Sequence, residues 1–232
     1  MTTEAIILAG GKGSRLKSVV SDVPKPMALI SNKPFLEYLL NYLMTQGIQK
    51  VVFSVGYKAQ VVSDYFGEKY KGICLDYEVE KEPLGTGGAI ALAMNKISGD
   101  SVYVLNGDTL SKTSLKEMSI QHVENGSDVT IATKFISNST RYGTLNIEGG
   151  RVTRFLEKKE SSGFINTGVY LFSKNWFNRV KPNQNRFSLE RDILEKELEK
   201  SSVYAFLSEG YFIDIGIPED YQRAQDEVSL IR

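Results

Sequence analysis

The chain begins with a short apolar run that stops abruptly at glycines. Residues 5–9 read Ala-Ile-Ile-Leu-Ala, and Gly10 and Gly11 follow at once. A continuous apolar run of this length is typical of a parallel strand that is buried on both faces. The start of the chain therefore favours a strand in the core of an α/β fold.

Strand and helix patterns alternate through the first half of the chain, which indicates β-α-β units and a mostly parallel sheet. The second half is richer in strands. Strands are predicted at 5–9, 51–55, 73–79, 102–105, 129–135, 142–147, 152–157, 164–172, 203–207 and 212–215. Helices are predicted after Pro34, around 61–66, at 88–97, at 188–200 and from Pro218.

The balance of charges excludes broad classes of partner. The 232 residues include 28 Lys and Arg and 28 Asp and Glu, so the formal net charge is 0. A neutral chain has no general attraction to nucleic acid or to an anionic membrane. No apolar run approaches the ~18 residues of a membrane span, and no signal sequence is visible. We expect no nucleic-acid or membrane partner and a cytoplasmic location.

The single cysteine and the single histidine exclude several kinds of site. With Cys74 alone, an intrachain disulfide and a Cys-rich zinc centre cannot form. His122 leaves one candidate for zinc or triad chemistry, and no nucleophile motif lies near it. We predict that Cys74 packs in the core, because it stands between Ile73 and Leu75, and that His122 lies at the surface.

A glycine-rich loop after the first strand is the strongest chemical signal. Residues 8–16 read Leu-Ala-Gly-Gly-Lys-Gly-Ser-Arg-Leu. Glycine N–H groups can face a phosphate without interference from a Cβ, and the Arg15 guanidinium matches phosphate oxygens. Leu16 replaces the third glycine of a dinucleotide fingerprint, and the loop lacks the Gly-Lys-Ser/Thr ending of a Walker A loop. It is either a phosphate loop of a third kind or an ordinary strand–helix turn.

Three single residues elsewhere are candidates for binding charged ligands. Lys25 is held between Pro24 and Pro26, and it either meets the same polyphosphate or is a solvated lysine. Asp108 follows a central strand, at the edge of the sheet where open parallel sheets bind their ligands, and a carboxylate there is a candidate ligand of Mg²⁺. Asp214 lies among apolar residues and is a second candidate for binding Mg²⁺, because a half-buried carboxylate needs a partner. A turn or a helix cap is the alternative for both aspartates.

A second glycine-rich segment, Glu82–Ala89, precedes a helical pattern. Backbone N–H groups at a helix N-terminus suit an anion or a carbonyl edge. The alternative is small-residue packing at the start of the helix.

Together these segments resemble the sugar nucleotidyltransferases, the nucleoside-diphosphate-sugar pyrophosphorylases. The family opens with L-A-G-G-x-G-x-R-L followed by P-K-P, and residues 8–16 and 24–26 match this pattern. The resemblance spans about residues 4 to 225. Later family landmarks follow in order at Glu82–Ala89, Asn106–Asp108, Tyr142-Gly143, Glu157-Lys158, Asn166-Thr167-Gly168 and Asp214-Ile215-Gly216.

The resemblance implies a fold, a reaction class and a cofactor. The fold is α/β, a Rossmann-like three-layer sandwich with a mostly parallel central sheet and a smaller β-rich sugar-binding elaboration. One domain would cover residues 1–232, with a nucleotide-binding half at about 1–110 and a sugar-binding half at about 111–232. The substrates would be a nucleoside triphosphate and a sugar 1-phosphate, with Mg²⁺ as cofactor. The chain could also form a homo-oligomer.

The resemblance also assigns roles to single residues. The nucleotide-binding residues would be Leu8, Gly10, Gly11, Gly13, Arg15, Lys25, Glu80, Gly85 and Thr86. The sugar-phosphate-binding residues would be Asn106, Gly143, Glu157, Lys158, Asn166 and Thr167. The catalytic residues would be Arg15, Lys25, Asp108 and Lys158, with Asp108 and Asp214 as the Mg²⁺ ligands.

Two features narrow the resemblance within the family. Many members read Arg-Leu-x-Pro-x-Thr after the glycine loop, but Ser18 and Val20 stand at the proline and threonine positions here. The run 18–27 is similar instead to that of the D-glycero-D-manno-heptose 1-phosphate guanylyltransferases. Glu80 stands where the family approaches the base, and a carboxylate can accept both N1–H and N2–H of guanine. We predict GMP transfer from GTP to D-glycero-α-D-manno-heptose 1-phosphate.

Other functions stay open at this point. One is uridylyl transfer or mannose 1-phosphate guanylyl transfer. Another is a non-catalytic subunit that binds a nucleotide sugar, but such a subunit need not keep Arg15, Lys25, Asp108, Lys158 and Asp214, which are all present. A NAD-dependent dehydrogenase is disfavoured by the missing third glycine.

Overall fold

The apolar runs 5–9, 51–55 and 102–105 form adjacent strands in the computed structural model, which describes residues 2–11, 16, 19–20, 22–137, 141–156 and 162–231. The strands are β1 (Glu4–Ala9), β2 (Leu29–Ile30), β3 (Lys33–Pro34), β4 (Lys50–Val55), β5 (Lys69–Tyr70), β6 (Ile73–Val79), β7 (Ser101–Asn106), β8 (Thr109–Ser111), β9 (Val129–Ile136), β10 (Thr144–Glu148), β11 (Arg151–Leu156), β12 (Gly163–Ser173), β13 (Val203–Leu207) and β14 (Phe212–Asp214).

Two helices differ from their predicted bounds. The first of them begins at Gly85 rather than at Gly88, and the helix predicted at 188–200 opens with a π-helical turn, Glu190–Leu194. No helix in the described ranges combines the length and apolar character that a membrane span needs. The helices are α1 (Phe35–Thr45), α2 (Ala59–Phe66), α3 (Gly85–Ala93), α4 (Leu115–Glu124), α5 (Lys174–Val180), α6 (Glu195–Glu197), α7 (Pro218–Asp226) and α8 (Val228–Ile231), with 3₁₀ turns at Lys25–Met27 and Met94–Lys96.

Ten strands of the described part of the chain form one mixed sheet, in the order β10-β11-β13-β9-β12-β7-β1-β4-β6-β5. Strand β1 is parallel to β4 and β7, and β4 is parallel to β6. The long strand β12 is antiparallel to both β7 and β9. The predicted α/β class is confirmed, but the sheet is mixed rather than mostly parallel, because β12 runs back between two strands of the opposite direction.

Side chains on both faces of the sheet are buried because helices cover both faces. Ile7 and Phe53 belong to the core on the α1 side, whereas Ile6 and Val52 belong to the core on the α3 side. Successive side chains of a strand point to opposite faces, so burial on both sides requires an uninterrupted apolar run. This is the physical origin of the runs that identified the strands.

Two predictions about single residues are wrong. Cys74 is exposed, because it alternates along β6 with the buried Ile73 and Leu75. His122 is buried, with 5% of its surface exposed. It lies on α4, a helix that the sequence analysis did not predict, and its spacing from the buried Leu115 places it on the inward face.

The burial of His122 changes its titration. Burial lowers the pKa of its imidazole from 6.5 to about 4, although the negative charge of Asp128 acts to raise this pKa. Its Nδ1 lies 2.8 Å from the hydroxyl of Thr130. In the unfolded chain the imidazole has its ordinary pKa of 6.5. Between pH 6.5 and about pH 4 the unfolded state therefore binds a proton that the native state does not bind. The free energy of unfolding falls as the pH is lowered through this range.

We expect His122 alone to lower the free energy of unfolding by about 2 kcal/mol between pH 7.5 and pH 4.5. His122→Asn keeps a polar group towards Thr130 but cannot take up the proton, so its stability should decline less with acidity by that amount. Urea unfolding at both pH values measures the difference. Parallel pH profiles for the native protein and the variant would contradict the assignment.

Candidate functional site

A cavity of about 650 Å³ opens at the edge of the sheet where β1, β6 and β7 end. The carboxyl ends of parallel strands meet at one edge of a sheet, and ligands bind there in open α/β folds. The structure brings many of the predicted residues together at this place. Those that line the cavity are Leu8, Gly10, Gly11, Lys25, Glu80, Gly85, Thr86, Asn106 and Asp108.

Asp108 and Asp214 are brought together by the pairing of two short strands. Asp108 directly precedes β8, and Asp214, the last residue of β14, is opposite Thr109 in the register. The N–H of Ile215 donates to the carbonyl of Asp108 at 3.0 Å. The ammonium of Lys25, only 8% exposed, contacts the Asp108 carboxylate and lies 3.7 Å from Oδ1 of Asp214. A single cation therefore contacts both carboxylates.

Asp108 and Asp214 are the residues that could hold a divalent cation. The pKa of Asp214 is raised, first by burial and then by the like charge of Asp108. Lys25 and the N–H of Gly216, which donates to Asp214 at 2.7 Å, act in the opposite direction but do not cancel the rise. Among the described residues, no group of three or more His, Cys, Asp or Glu could hold a metal. Mg²⁺ is commonly bound by one or two carboxylates plus substrate phosphates and water. The pair fits an ion that takes its other ligands in this way.

Glu80 lies directly against the glycine loop. Its Oε2 accepts a hydrogen bond from the N–H of Leu84 at 3.1 Å, and its Oε1 accepts one from the hydroxyl of Ser54 at 3.3 Å. A Cβ on Gly10 would overlap Oε1, so with any other residue at position 10 the Glu80 carboxylate would have to shift from this position. The carboxylate is thereby held at the cavity wall by donors of the protein itself.

The glycine-rich start of α3 packs against a distant segment of the chain. Gly85 has a φ of +74°, and a Cβ on it would lie 2.6 Å from the carbonyl oxygen of Phe187. The same oxygen accepts hydrogen bonds from the N–H groups of Gly87 at 3.0 Å and Gly88 at 3.3 Å. Two N–H groups that the sequence analysis considered as donors to an anion therefore donate to the protein's own backbone.

The residues predicted to bind the sugar phosphate lie only partly at the cavity. Asn106 lines it, whereas Gly143 is exposed outside the lining. The buried Thr167 hydroxyl donates to a carbonyl of β9 at 2.9 Å, so it joins β12 to β9 and does not face a ligand. The amide of Asn166 donates to the hydroxyl of Tyr170 at 2.7 Å.

Some predicted site residues lie outside the described part of the chain. They are Gly13, Arg15, Glu157 and Lys158. Their roles stay predictions from the family resemblance.

Arg186 lines the cavity, and sequence reasoning missed it. Arg186 directly precedes Phe187, and the backbone of Phe187 packs against Gly85 at the cavity. This packing places Arg186 at the cavity wall. A single arginine in a loop has no spacing signal that could have marked it in the sequence. Its guanidinium offers a planar set of donors that matches phosphate oxygens.

Comparison with known proteins identifies relatives over nearly the whole chain. Residues 4–229 match the nucleotidyl transferase family. The chain is 49% identical to the D-glycero-alpha-D-manno-heptose 1-phosphate guanylyltransferase of Aneurinibacillus thermoaerophilus, over 97% of this chain and 98% of the relative. It is 43% identical to the protein of the same name from Campylobacter jejuni, over 94% of this chain and 96% of the relative.

Two solved structures are similar to the chain over nearly its whole length. The crystal structure of HddC from Yersinia pseudotuberculosis is similar with a TM-score of 0.89 at 39% identity, and the match covers 98% of this chain and 100% of that one. The structure of HddC complexed with GMP-PN has a TM-score of 0.87, with the same identity and coverage. The chain therefore belongs to the nucleotidyl transferase family.

Proposed function

We propose that this chain transfers GMP from GTP to D-glycero-α-D-manno-heptose 1-phosphate, which gives GDP-heptose and pyrophosphate. The observation that carries the proposal is the 49% identity, over nearly the full length of both chains, to a guanylyltransferase of that name. The structure of HddC complexed with GMP-PN, at 39% identity, supports a guanine nucleotide as the donor.

The reaction needs positioning and charge compensation more than proton transfer. An oxygen of the sugar 1-phosphate attacks the α-phosphorus of GTP, the bond from that phosphorus to the α,β-bridging oxygen breaks, and pyrophosphate leaves. The attacking oxygen is already anionic at neutral pH, so no general base is required. Because both reactants are negatively charged, the protein must hold them together and offset their repulsion.

Two basic side chains line the cavity, those of Lys25 and Arg186, beside the acidic Glu80 and Asp108. We assign Lys25 to the triphosphate. Asp108 and Asp214 are the residues that would hold Mg²⁺, which supplies further positive charge at the α-phosphate. Lys158, by resemblance, would contact the sugar phosphate.

Glu80 is the residue we assign to recognition of guanine. An ionised carboxylate has about four lone-pair positions. Ser54 and Leu84 each donate to one oxygen, which leaves acceptor capacity on both oxygens. Guanine presents N1–H and N2–H₂ on one edge, and both can donate to a carboxylate held in this way. Gly10, Gly11 and Gly85 would present backbone to the nucleotide.

The sugar subsite would lie on the β12 side of the cavity. We assign it to Asn106, Asn166, Gly143 and Glu157, with Thr167 contributing only its backbone because its hydroxyl is bonded to β9. A cytoplasmic location and a homo-oligomer stay predictions.

Pyrophosphate release with Mg²⁺ tests the proposal directly. GTP, UTP, dTTP, CTP and ATP are each paired with D-glycero-α-D-manno-heptose 1-phosphate and with mannose 1-phosphate. We expect release with GTP and the heptose phosphate. A preference for mannose 1-phosphate would move the chain to another sugar, and a preference for UTP would overturn the assignment of Glu80. Nucleotide binding without any release would favour a non-catalytic subunit.

Asp108→Asn should lower kcat by at least about 100-fold, because it removes a charge that the transition state needs while keeping the size of the side chain. The matched control is Asp226→Asn, which removes an exposed carboxylate from α7. Turnover with the heptose phosphate and thermal unfolding are measured for both variants. Near-normal turnover in Asp108→Asn would remove this residue from the mechanism.

Glu80→Gln should lower kcat/KM for GTP by about 10- to 100-fold, because one bidentate contact to a base is lost. The ratio of GTP to UTP use should fall with it, since a glutamine suits uracil better than guanine. Glu82→Gln, an exposed neighbour of the same charge, serves as the control. An unchanged ratio of the two nucleotides would show that Glu80 does not read the base.

A further inference from the structure

A chain of hydrogen bonds runs behind the cavity wall from α3 to β12. Its members are Thr86, Glu190, Tyr170 and Asn166. Thr86 lines the cavity on the nucleotide side. Asn166 does not line the cavity, but it belongs to the sugar side as proposed above. Glu190 does not line the cavity, and the family resemblance assigned it no role. Its place between the two subsites is a property of the folded chain.

Glu190 accepts hydrogen bonds from three hydroxyl groups. Its Oε2 accepts from Thr86 at 3.0 Å and from Ser188 at 2.9 Å, and its Oε1 accepts from Tyr170 at 3.1 Å. An ionised carboxylate can only accept, so all three hydroxyl groups must point their protons at it. The carboxylate therefore sets the direction of every bond around it.

The bonds at both ends of the network leave no freedom to reverse these directions. The Tyr170 hydroxyl accepts from the amide of Asn166 at 2.7 Å, so its own proton goes to Glu190. Tyr170 is only 1% exposed, and its hydroxyl cannot turn to solvent instead. The Thr86 hydroxyl accepts from the N–H of Leu189 at 2.8 Å, so its proton also goes to Glu190.

The Asn166 end of the network reaches the cavity through its neighbours. Oδ1 of Asn166 accepts from the N–H of Gly168 at 3.0 Å. Gly168 has a φ of +75°, and a Cβ on it would overlap the side-chain amide of Asn106, which lines the cavity. The bend at Gly168 therefore lies between Asn166, to which it is bonded, and the cavity-lining Asn106.

Glu190 is the first residue of the π-helical turn Glu190–Leu194. A π turn inserts one extra residue into a helix and is frequent at functional sites. At this turn the chain is tied to α3 by Thr86 and to β12 by Tyr170. The start of this helix is thus anchored to both sides of the cavity.

We propose that Glu190 is a positioning residue for the transfer reaction, which holds Thr86 on the nucleotide side and, through Tyr170, Asn166 on the sugar side. The inference rests on the proposed function, because it concerns the two substrates of that reaction. Glu190 touches neither substrate and acts through the groups that it orients. Glutamine cannot replace it, because its NH₂ group would face a hydroxyl that must itself donate.

Steady-state kinetics of pyrophosphate release, with GTP and the heptose 1-phosphate varied separately, test the proposal. Tyr170→Phe cuts the sugar branch and keeps the buried ring, so KM for the heptose phosphate should rise about ten-fold while KM for GTP stays within about two-fold. Glu190→Gln cuts both branches, and KM for both substrates should rise. Glu195→Gln removes an exposed charge just beyond the π turn and should change neither.

Thermal unfolding of each variant separates positioning from stability. If Tyr170→Phe lowers Tm but changes both KM values equally or neither of them, the network is only structural and the proposal fails. If Glu190→Gln does not fold, the split between the two KM values in Tyr170→Phe decides alone. If the unmodified chain releases no pyrophosphate from GTP and the heptose phosphate, the proposed function fails before any variant is compared.

Discussion

The contact of Lys25 with Asp108 and Asp214 is the interaction on which the cavity depends. The three residues come from a 3₁₀ turn, the turn between β7 and β8, and the end of β14. Two partly buried carboxylates without a cation would repel each other, and removing one partner from such a group is strongly destabilising. The Lys25 ammonium offsets that repulsion and lets the pairing of β8 with β14 bring the acidic side chains to one point.

Close approaches to two glycines shape part of the cavity wall. Gly10 makes room for the carboxylate of Glu80, and Gly85 makes room for the carbonyl of Phe187. In each case a side chain at the glycine would collide with a polar group of the protein itself. These glycines therefore let segments that are distant in the sequence approach each other at the cavity. Arg186 reaches the cavity through one of these contacts.

Some elements were predictable because their physics is local. Strands β1, β4 and β7 are buried on both faces, and this burial leaves an apolar run that any reader of the sequence can find. The direction of β12 leaves no such trace, because an apolar run reads the same for a parallel and an antiparallel strand. His122 was misplaced for a related reason, since a single histidine shows its face only once the helix around it is known.

The sequence by itself predicted the α/β class, because strands buried on both faces need continuous apolar runs. The resemblance of its motifs to a known family supplied the family and most of the predicted residues that line the cavity. The tertiary structure alone decided which side chains meet. Lys25 and Asp108 are 83 residues apart, and Thr86 and Glu190 are 104 residues apart. No local pattern encodes such pairings, because they follow from the packing of strands and helices against each other.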